Sequence, residues 1–159
     1  MVDILLMQTV SIAIASAGVF LAAIYYVLQL RHQTSAKQVD LIMRIRSMWL
    51  DKEMVQSWET IRKTEFKNYD DYKEKCPGEA RQVAGFFDNL GLLLHRGLID
   101  IGLVSELFLL EVPWQKMKLF VEGGRERANE PRIYCNFEYL YNEVKKREQQ
   151  LQQKGAKNG

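Results

Sequence analysis

The amino-acid sequence predicts an all-α protein with one N-terminal transmembrane helix, followed by a small cytoplasmic helical domain of about five helices. Residues 4–30 form an uninterrupted run of 27 residues without charge, of which 21 are apolar. Residues 31–159 carry nearly all the charge, and their apolar residues recur at the spacing of a helix. No convincing strand or hairpin pattern occurs. These observations divide the chain into an anchor at 1–32, a helical domain at 33–145 and a polar basic tail at 146–159.

The composition excludes several classes of protein. The chain has 159 residues, with 22 Lys and Arg against 20 Asp and Glu, two Cys and three Pro. Its apolar content and nearly balanced charge argue against a disordered chain, a collagen or a disulfide scaffold. A strongly basic nucleic-acid binder is also excluded, and we expect no nucleic-acid partner.

The uncharged run is long enough for a membrane span. Crossing a bilayer core of roughly 30 Å takes about 20 helical residues, so 4–30 leaves room for tilt. A cleaved signal peptide is the alternative, because residues 13–15 and 15–17 resemble small-residue cleavage sites. Against it, the residues before the run carry Asp3 and no Lys or Arg, whereas a signal peptide has positive charge there, and the apolar sequence continues to Leu28. The sequence therefore favours a retained anchor.

The flanking charges predict the orientation of this anchor. Four basic residues follow the run: Arg31, Lys37, Arg44 and Arg46. Only Asp40 opposes them, and Asp3 precedes the run. Because cytoplasmic flanks are enriched in Lys and Arg, we expect a single-pass protein of the cell membrane with its N-terminus outside. Cys76 and Cys135 would then be free thiols in a reducing compartment.

One face of the predicted span carries small and weakly polar residues. They recur at alternating spacings of three and four: Gln8, Ser11, Ala15, Gly18, Ala22, Tyr25 and Gln29. This spacing places them on the same side of a helix. Such residues allow membrane helices to approach closely and to form hydrogen bonds across the contact. We interpret this stripe as a face for a partner helix; a chance arrangement in a single anchor is the alternative.

The positions of Pro and Gly predict the helices in the first half of the helical domain. Residues 33–66 contain neither Pro nor Gly and indicate one helix, whereas the polar stretch 67–78, which holds Pro77 and Gly78, indicates a connection. A further helix is expected from about Glu79 to Arg96. Gly91 would allow a neighbouring helix to approach closely, and Gly97 would end the helix.

The second half contains three shorter predicted helices. Asp100 is the expected N-cap of a helix that runs to about Leu110. Pro113 suits the first turn of the next helix, which would end at the Gly pair 123–124. Pro131 suits the start of the last helix, which would run to about Gln153 before the tail.

The sequence predicts no catalytic, cofactor-binding or metal-ligating residues. His32 and His95 have no second His or Cys within a helical turn, and the two Cys lie 59 positions apart. No glycine spacing matches a phosphate-binding loop. His95 is the one plausible base, and a small-ligand or enzyme pocket near His95 and Arg96 stays a minor alternative. No small-molecule substrate is evident.

Three arginines form a candidate anion or partner contact beside a turn that leads into a helix: Arg125, Arg127 and Arg132. Guanidinium groups near a helix N-terminus suit the binding of an anion. The alternative is local ion pairing, because Glu122, Glu126 and Glu130 are interleaved with them.

The segment from Phe86 to Asp100 carries a family resemblance. With the Gly-x-Leu-x-x-x-Gly-Leu-like stretch from Gly91 to Leu98 and the motif Phe137-Glu-Tyr-Leu140, the chain resembles a family of small single-span membrane proteins known only as a domain of unknown function. The resemblance covers most of residues 5–145. It implies one N-terminal span followed by a helical domain, and it supplies no activity or catalytic residues.

These observations favour a non-catalytic accessory or regulatory subunit. Its span and helical domain would bind a larger integral-membrane protein complex, and the exposed-aromatic potential of Trp49, Trp58 and Trp114 would contribute to the contact. A core position for the three Trp is the alternative explanation of those residues. The alternative function is a self-associating membrane sensor or pore-forming effector, in which the stripe meets its own copy in a homo-oligomer.

Overall fold

The described part of the molecule is entirely helical, as the sequence predicted. The computed structural model describes the backbone of residues 2–157 and the side chains of residues 7–8, 15–30 and 32–156. This part contains seven helices: α1 (Val2–Trp49), α2 (Lys52–Lys63), α3 (Tyr69–Lys75), α4 (Pro77–His95), α5 (Ile101–Leu107), α6 (Glu111–Ala128) and α7 (Cys135–Lys157). They belong to two compact units, Met1–Lys37 and Gln38–Gly159.

Helix α4 is the centre of the second unit. It packs against α2, α3, α6 and α7, most extensively against α7. Its apolar positions recur every three or four residues and include the fully buried Val83, Phe87 and Leu90. The rings of Phe87 and Phe137 stack with centroids 4.9 Å apart, which joins α4 to α7 in the middle of the core.

The junction between α4 and α5 forms as the sequence predicts. Gly97 has a φ of 67°, and the N–H groups of Gly97 and Leu98 donate to the carbonyls of Leu94 and Leu93. This pair of bonds is a Schellman motif, which favours glycine at the left-handed position. Asp100 Oδ1 then accepts from the N–H groups of Gly102 and Leu103 and caps α5.

The prediction of one helix over residues 33–66 is wrong. Helix α1 ends at Trp49, and α2 begins at Lys52. Asp51 adopts an extended conformation, and its carboxylate accepts from the N–H of Glu53, which caps α2. The break therefore results from aspartate capping, which needs neither Pro nor Gly.

The stretch 67–78 is more than a connection. Asn68 caps the short helix α3 by accepting a hydrogen bond from the N–H of Asp71. Tyr72 of this helix is buried, and its hydroxyl donates to the carbonyl of Lys116 in α6. The buried tyrosine stabilises a short helix that polar composition alone does not indicate. The additional helix α3 explains why six helices follow α1 in the described residues, where about five were expected in the domain.

The boundaries of α6 and α7 also differ from prediction. Helix α6 passes through the Gly pair and ends at Ala128, followed by the C-cap Asn129, whose φ of 50° is left-handed. A Cβ at Gly123 would lie 2.4 Å from Tyr69 Cβ, so this glycine permits close packing of α3 and does not end the helix. Helix α7 begins at Cys135, four residues later than Pro131.

Candidate functional site

The predicted partner-helix face lies on α1. Gln8, Ala15, Gly18, Ala22, Tyr25 and Gln29 are all exposed, and Ser11 is outside the residues whose side chains are described. A Cβ at Gly18 would meet nothing within 4 Å. Large apolar side chains around this face are exposed too, with Phe20 at 74% and Val19 at 71%. Among the described residues, no helix offers a stretch both long and apolar enough to cross a membrane.

Arg125 is committed to the junction of α6 and α7. Its guanidinium donates to the carbonyls of Ile133 and Tyr134 and forms an ion pair with Glu138 at 2.7 Å. The side chain is largely buried, at 18% exposure. These contacts hold the turn at residues 131–134 in place, so Arg125 has a structural role in the domain.

Arg127 and Arg132 form exposed ion pairs. Arg127 contacts Asp70 of α3 at 2.9 Å, and Arg132 contacts Glu130 at 3.0 Å. The Glu130 pair lowers the pKa of that carboxyl, first through its hydrogen bond from the Arg132 side chain. Exposed pairs of this kind contribute about 0–1 kcal/mol each and exchange partners easily. Arg127 also lines a cavity.

This cavity has a volume of about 450 Å³ and is bordered by α3, the start of α4, the end of α6 and the turn before α7. Three basic residues line it, Lys73, Arg81 and Arg127, and no carboxylate does. Its apolar wall includes Phe120 and Ile133. The volume lies within the range of roughly 300–1,000 Å³ that is typical of small-molecule sites. The arrangement provides positive charge beside an apolar surface.

Aromatic rings position the basic groups of the cavity. Tyr69 stacks on Phe120 with centroids 5.5 Å apart. Lys73 Nζ lies 5.8 Å and Arg127 Cζ 5.6 Å from the Tyr69 ring centroid, which are cation–π distances. Tyr69 therefore holds two of the three cations at the cavity.

Tyr134 closes one side of the cavity in an unusual backbone conformation. Its φ of 50° is left-handed, a backbone conformation that residues with large side chains rarely adopt. Burial, followed by the nearby charge of Asp88, raises the pKa of its phenol, and Arg81 opposes that shift. The neutral phenol is thus the form present at the cavity over the physiological range.

The start of α4 also borders the cavity. Pro77, its first residue, is part of the lining, and the N-cap residue Cys76 makes no side-chain hydrogen bond to the first turn. Helix N-termini carry partial positive charge and attract anions. Pro77 has no N–H to donate, however, and Glu79 lies in the same turn, so the positive charge at the cavity comes from the three basic side chains.

The residues of the alternative site around His95 form contacts within the helical domain. The His95 ring packs on Tyr139 with centroids 4.8 Å apart. The Ser105 hydroxyl donates to the Gly102 carbonyl and accepts from Arg147, and Cys135 lies exposed at the start of α7. Among the described residues, no group of three or more His, Cys, Asp or Glu is placed to hold a metal ion.

The three tryptophans have different environments. Trp114 is buried and packs on Phe137 and Tyr141. Trp49 and Trp58 are half-buried and line a groove of about 530 Å³ beside Leu109, which is 87% exposed. Two of the three Trp therefore reach a surface groove, and the third belongs to the core.

The described residues define an all-α protein with an exposed apolar N-terminal helix and a helical domain that contains a basic cavity. Residues 12–144 match the model of the family described as "Domain of unknown function (DUF4760)", and the chain belongs to this family. This confirms the resemblance to a family known only as a domain of unknown function. No curated protein matches the chain, and no solved structure matches it.

Sequence reasoning missed most of the cavity. Tyr69 and Lys73 lie in a stretch predicted to be a connection, so the sequence did not predict that a helix would place them on one surface of the domain. Arg81 lies in the first turn of the helix expected from about Glu79, but nothing in the sequence indicates that this turn lies beside Tyr69 and Lys73. The left-handed backbone of Tyr134 has no signal in a tyrosine, because glycine and asparagine are the usual markers.

Proposed function

We propose that this protein is a membrane-anchored, non-catalytic accessory or regulatory subunit of a larger integral-membrane complex. The observation that supports the proposal best is the exposed stripe of α1, which lies within an uncharged run of 27 residues. In a membrane, small residues on one side of such a helix allow close packing against another helix, and the large apolar residues elsewhere suit lipid.

The proposed orientation follows from the charges that flank the run. The basic residues at 31–46 would lie in the cytoplasm with the helical domain, and the N-terminus would lie outside. The domain would then modulate the cytoplasmic face of the partner complex.

The groove beside Trp49 and Trp58 is the proposed contact surface of the domain. Leu109 and Val112 are exposed at 87% and 49% on its edge, and Arg46, Arg62 and Glu106 are polar members of its lining. An apolar centre with aromatic residues and a polar rim is typical of protein interfaces.

Co-purification from the native membrane in mild detergent tests the role of the stripe. A matched pair of variants separates this face from the rest of the helix. Ala15→Leu lies on the stripe, whereas Ala17→Leu makes the same change about 200° around the helix. We expect the complex to be lost with Ala15→Leu and kept with Ala17→Leu. Equal recovery from both variants, or a lone monomer from wild type, would contradict the proposal.

A second pair tests the groove. Leu109→Ser removes an exposed apolar side chain from its edge, and Leu151→Ser makes the same change at an exposed position near the end of α7. We expect reduced recovery of the partner only with Leu109→Ser. The positions are exposed, so neither change should alter the stability of the domain by more than about 0.5 kcal/mol.

Self-association is the alternative that the same stripe supports. Gln8 and Gln29 would then face the interior of a homo-oligomer that acts as a sensor or a pore-forming effector, where they could form hydrogen bonds between copies of the helix. Ala15→Cys or Gly18→Cys in a Cys135→Ser background distinguishes the two functions. Only self-association places identical positions in contact, so a disulfide-linked dimer would favour the alternative.

A further inference from the structure

The geometry of the basic cavity points to a binding site for a phosphate monoester, with the phosphate held by Lys73, Arg81 and Arg127 and the rest of the ligand against Phe120 and Ile133. This inference goes beyond the proposed accessory role and does not depend on it. The cavity belongs wholly to the helical domain, and its lining is independent of the stripe on α1.

The charges of the lining favour an anion. Lys73 and Arg81 form no ion pair within the described part of the chain, and Arg81 uses only its Nε, which donates to the Pro77 carbonyl at 3.0 Å. The terminal nitrogens of its guanidinium therefore have no carboxylate partner there. Arginine binds phosphate through two parallel hydrogen bonds, and lysine adds a point charge.

Arg127 can join them because its present partner is exposed. The Arg127 and Asp70 side chains are 55% and 64% exposed, so a phosphate would replace a weak ion pair. All three basic side chains line the same cavity.

The apolar wall favours an organic phosphate over the free ion. Phe120 and Ile133 lie beside the basic groups in the same lining, together with the rings of Tyr69 and Tyr134. Such a pocket gains affinity from an apolar or planar group attached to the phosphate. Nucleoside monophosphates and phosphatidic acid, whose polar part is glycerol 3-phosphate, both carry a phosphate monoester, so the experiment must separate these two sources.

Calorimetric titration of the purified full-length protein in detergent tests the site. The probes are adenosine 5′-monophosphate for a nucleotide and glycerol 3-phosphate for a lipid headgroup, with adenosine as the probe that lacks phosphate. We expect one phosphate probe to bind and adenosine not to bind. The tighter phosphate probe identifies the source.

Variants place the binding in the cavity. Arg81→Gln and Lys73→Gln should each weaken the binding about tenfold or more, because each removes a charge-assisted contact. Arg132→Gln is the matched control, since Arg132 is exposed and lies outside the lining. Circular dichroism confirms the fold of each variant. Any one of three results would disprove the site: no binding of either phosphate probe at about 1 mM, equal binding of adenosine and the phosphate probes, or equal affinity of the phosphate probe for all variants.

Discussion

Gly91 shows how one residue determines the packing of the two longest helices of the domain. A Cβ at this position would lie 2.0 Å from the carbonyl oxygen of Asn136 in α7. The backbone of α7 can lie this close only because Gly91 has no side chain. The sequence predicted this close approach, although it could not identify Asn136 as the neighbour.

Gly91→Ala should therefore destabilise the protein by about 3 kcal/mol or more, because a backbone atom must move. Gly85→Ala is the control in the same helix, where an added Cβ meets nothing within 4 Å. It should raise stability by about 0.5–1 kcal/mol, since alanine favours the helix over the unfolded chain. Thermal unfolding of both variants measures the effects. Shifts of the same sign would contradict this description of α4 and α7.

The buried phenol of Tyr72 should make the stability of the protein depend on pH. Burial raises the pKa of its phenol well above the ordinary value, and its hydroxyl donates to the carbonyl of Lys116. A raised pKa means that the folded state holds the proton more tightly. The stabilisation is therefore complete below about pH 10 and declines as pH rises toward the folded-state pKa.

Urea unfolding of wild type and Tyr72→Phe isolates this contribution. At about pH 8 the variant should be less stable by about 1 kcal/mol, because one hydrogen bond is lost. Above about pH 10 the difference should shrink, since the exposed Tyr72 phenol ionises in the unfolded wild-type chain and stabilises that state, whereas the variant has no phenol to ionise. A difference that stays constant to about pH 11 would show that Tyr72 is not protected from ionisation.

Residue-level prediction succeeded where the residue itself determines the geometry. Gly97 and Asp100 mark helix ends through their own backbone preference and side-chain acceptor, so the sequence places them directly. Asp51 and Asn68 cap helices through the same kind of side-chain acceptor. Neither is next to a Gly or Pro that would mark a helix end, so the sequence did not predict these two caps. The left-handed backbone of Tyr134 could not be predicted in this way. Arg125 donates to its carbonyl and its ring contacts Phe120, and both contacts form only when the domain has folded.

At the scale of elements, the start of α7 depends on a residue from another helix. Asp88 Oδ1 accepts from the N–H groups of Asn136 at 2.9 Å and Phe137 at 3.1 Å. Asp88 lies in the middle of α4, 48 residues before its partner. The cap explains why α7 begins at Cys135 and not at Pro131, and nothing local in the sequence indicates it.

Asp88→Ala should cost about 1–2 kcal/mol of stability, because two N–H groups in the first turn of α7 lose their acceptor. Amide hydrogen exchange should accelerate at Asn136 and Phe137 more than in α2. Asn89→Ala, at the exposed neighbouring position, is the control and should change stability by less than about 0.5 kcal/mol. Uniform acceleration along the whole chain would show that Asp88 does not act as a cap.

Like the cap of α7, the basic cavity is formed by residues that are distant in sequence. It is bordered by α3, α4, α6 and the turn before α7, so its residues come together only when these four segments have packed. A sequence pattern detects the three arginines because they are close along the chain. It cannot detect that Arg125 and Arg132 form other contacts while Arg127 joins Lys73 and Arg81.

At the scale of the whole molecule, the all-α class follows from composition and periodicity, and the family match over residues 12–144 agrees with the resemblance seen in the sequence. The proposed function adds a membrane anchor at residues 4–30 with the helical domain in the cytoplasm. Cys135 makes this arrangement measurable, because it is an exposed free thiol, whereas Cys76 is buried and burial raises the pKa of its thiol.

Thiol labelling with a membrane-impermeant maleimide tests the anchor and its orientation most directly. In intact cells Cys135 should stay unlabelled and should react only after the membrane is opened. Asp3→Cys in a Cys135→Ser background should react from outside in intact cells, and both chains should stay in the membrane fraction after an alkaline wash. Labelling of Cys135 in intact cells, or recovery of the chain in the soluble fraction, would contradict the proposed membrane-anchored subunit.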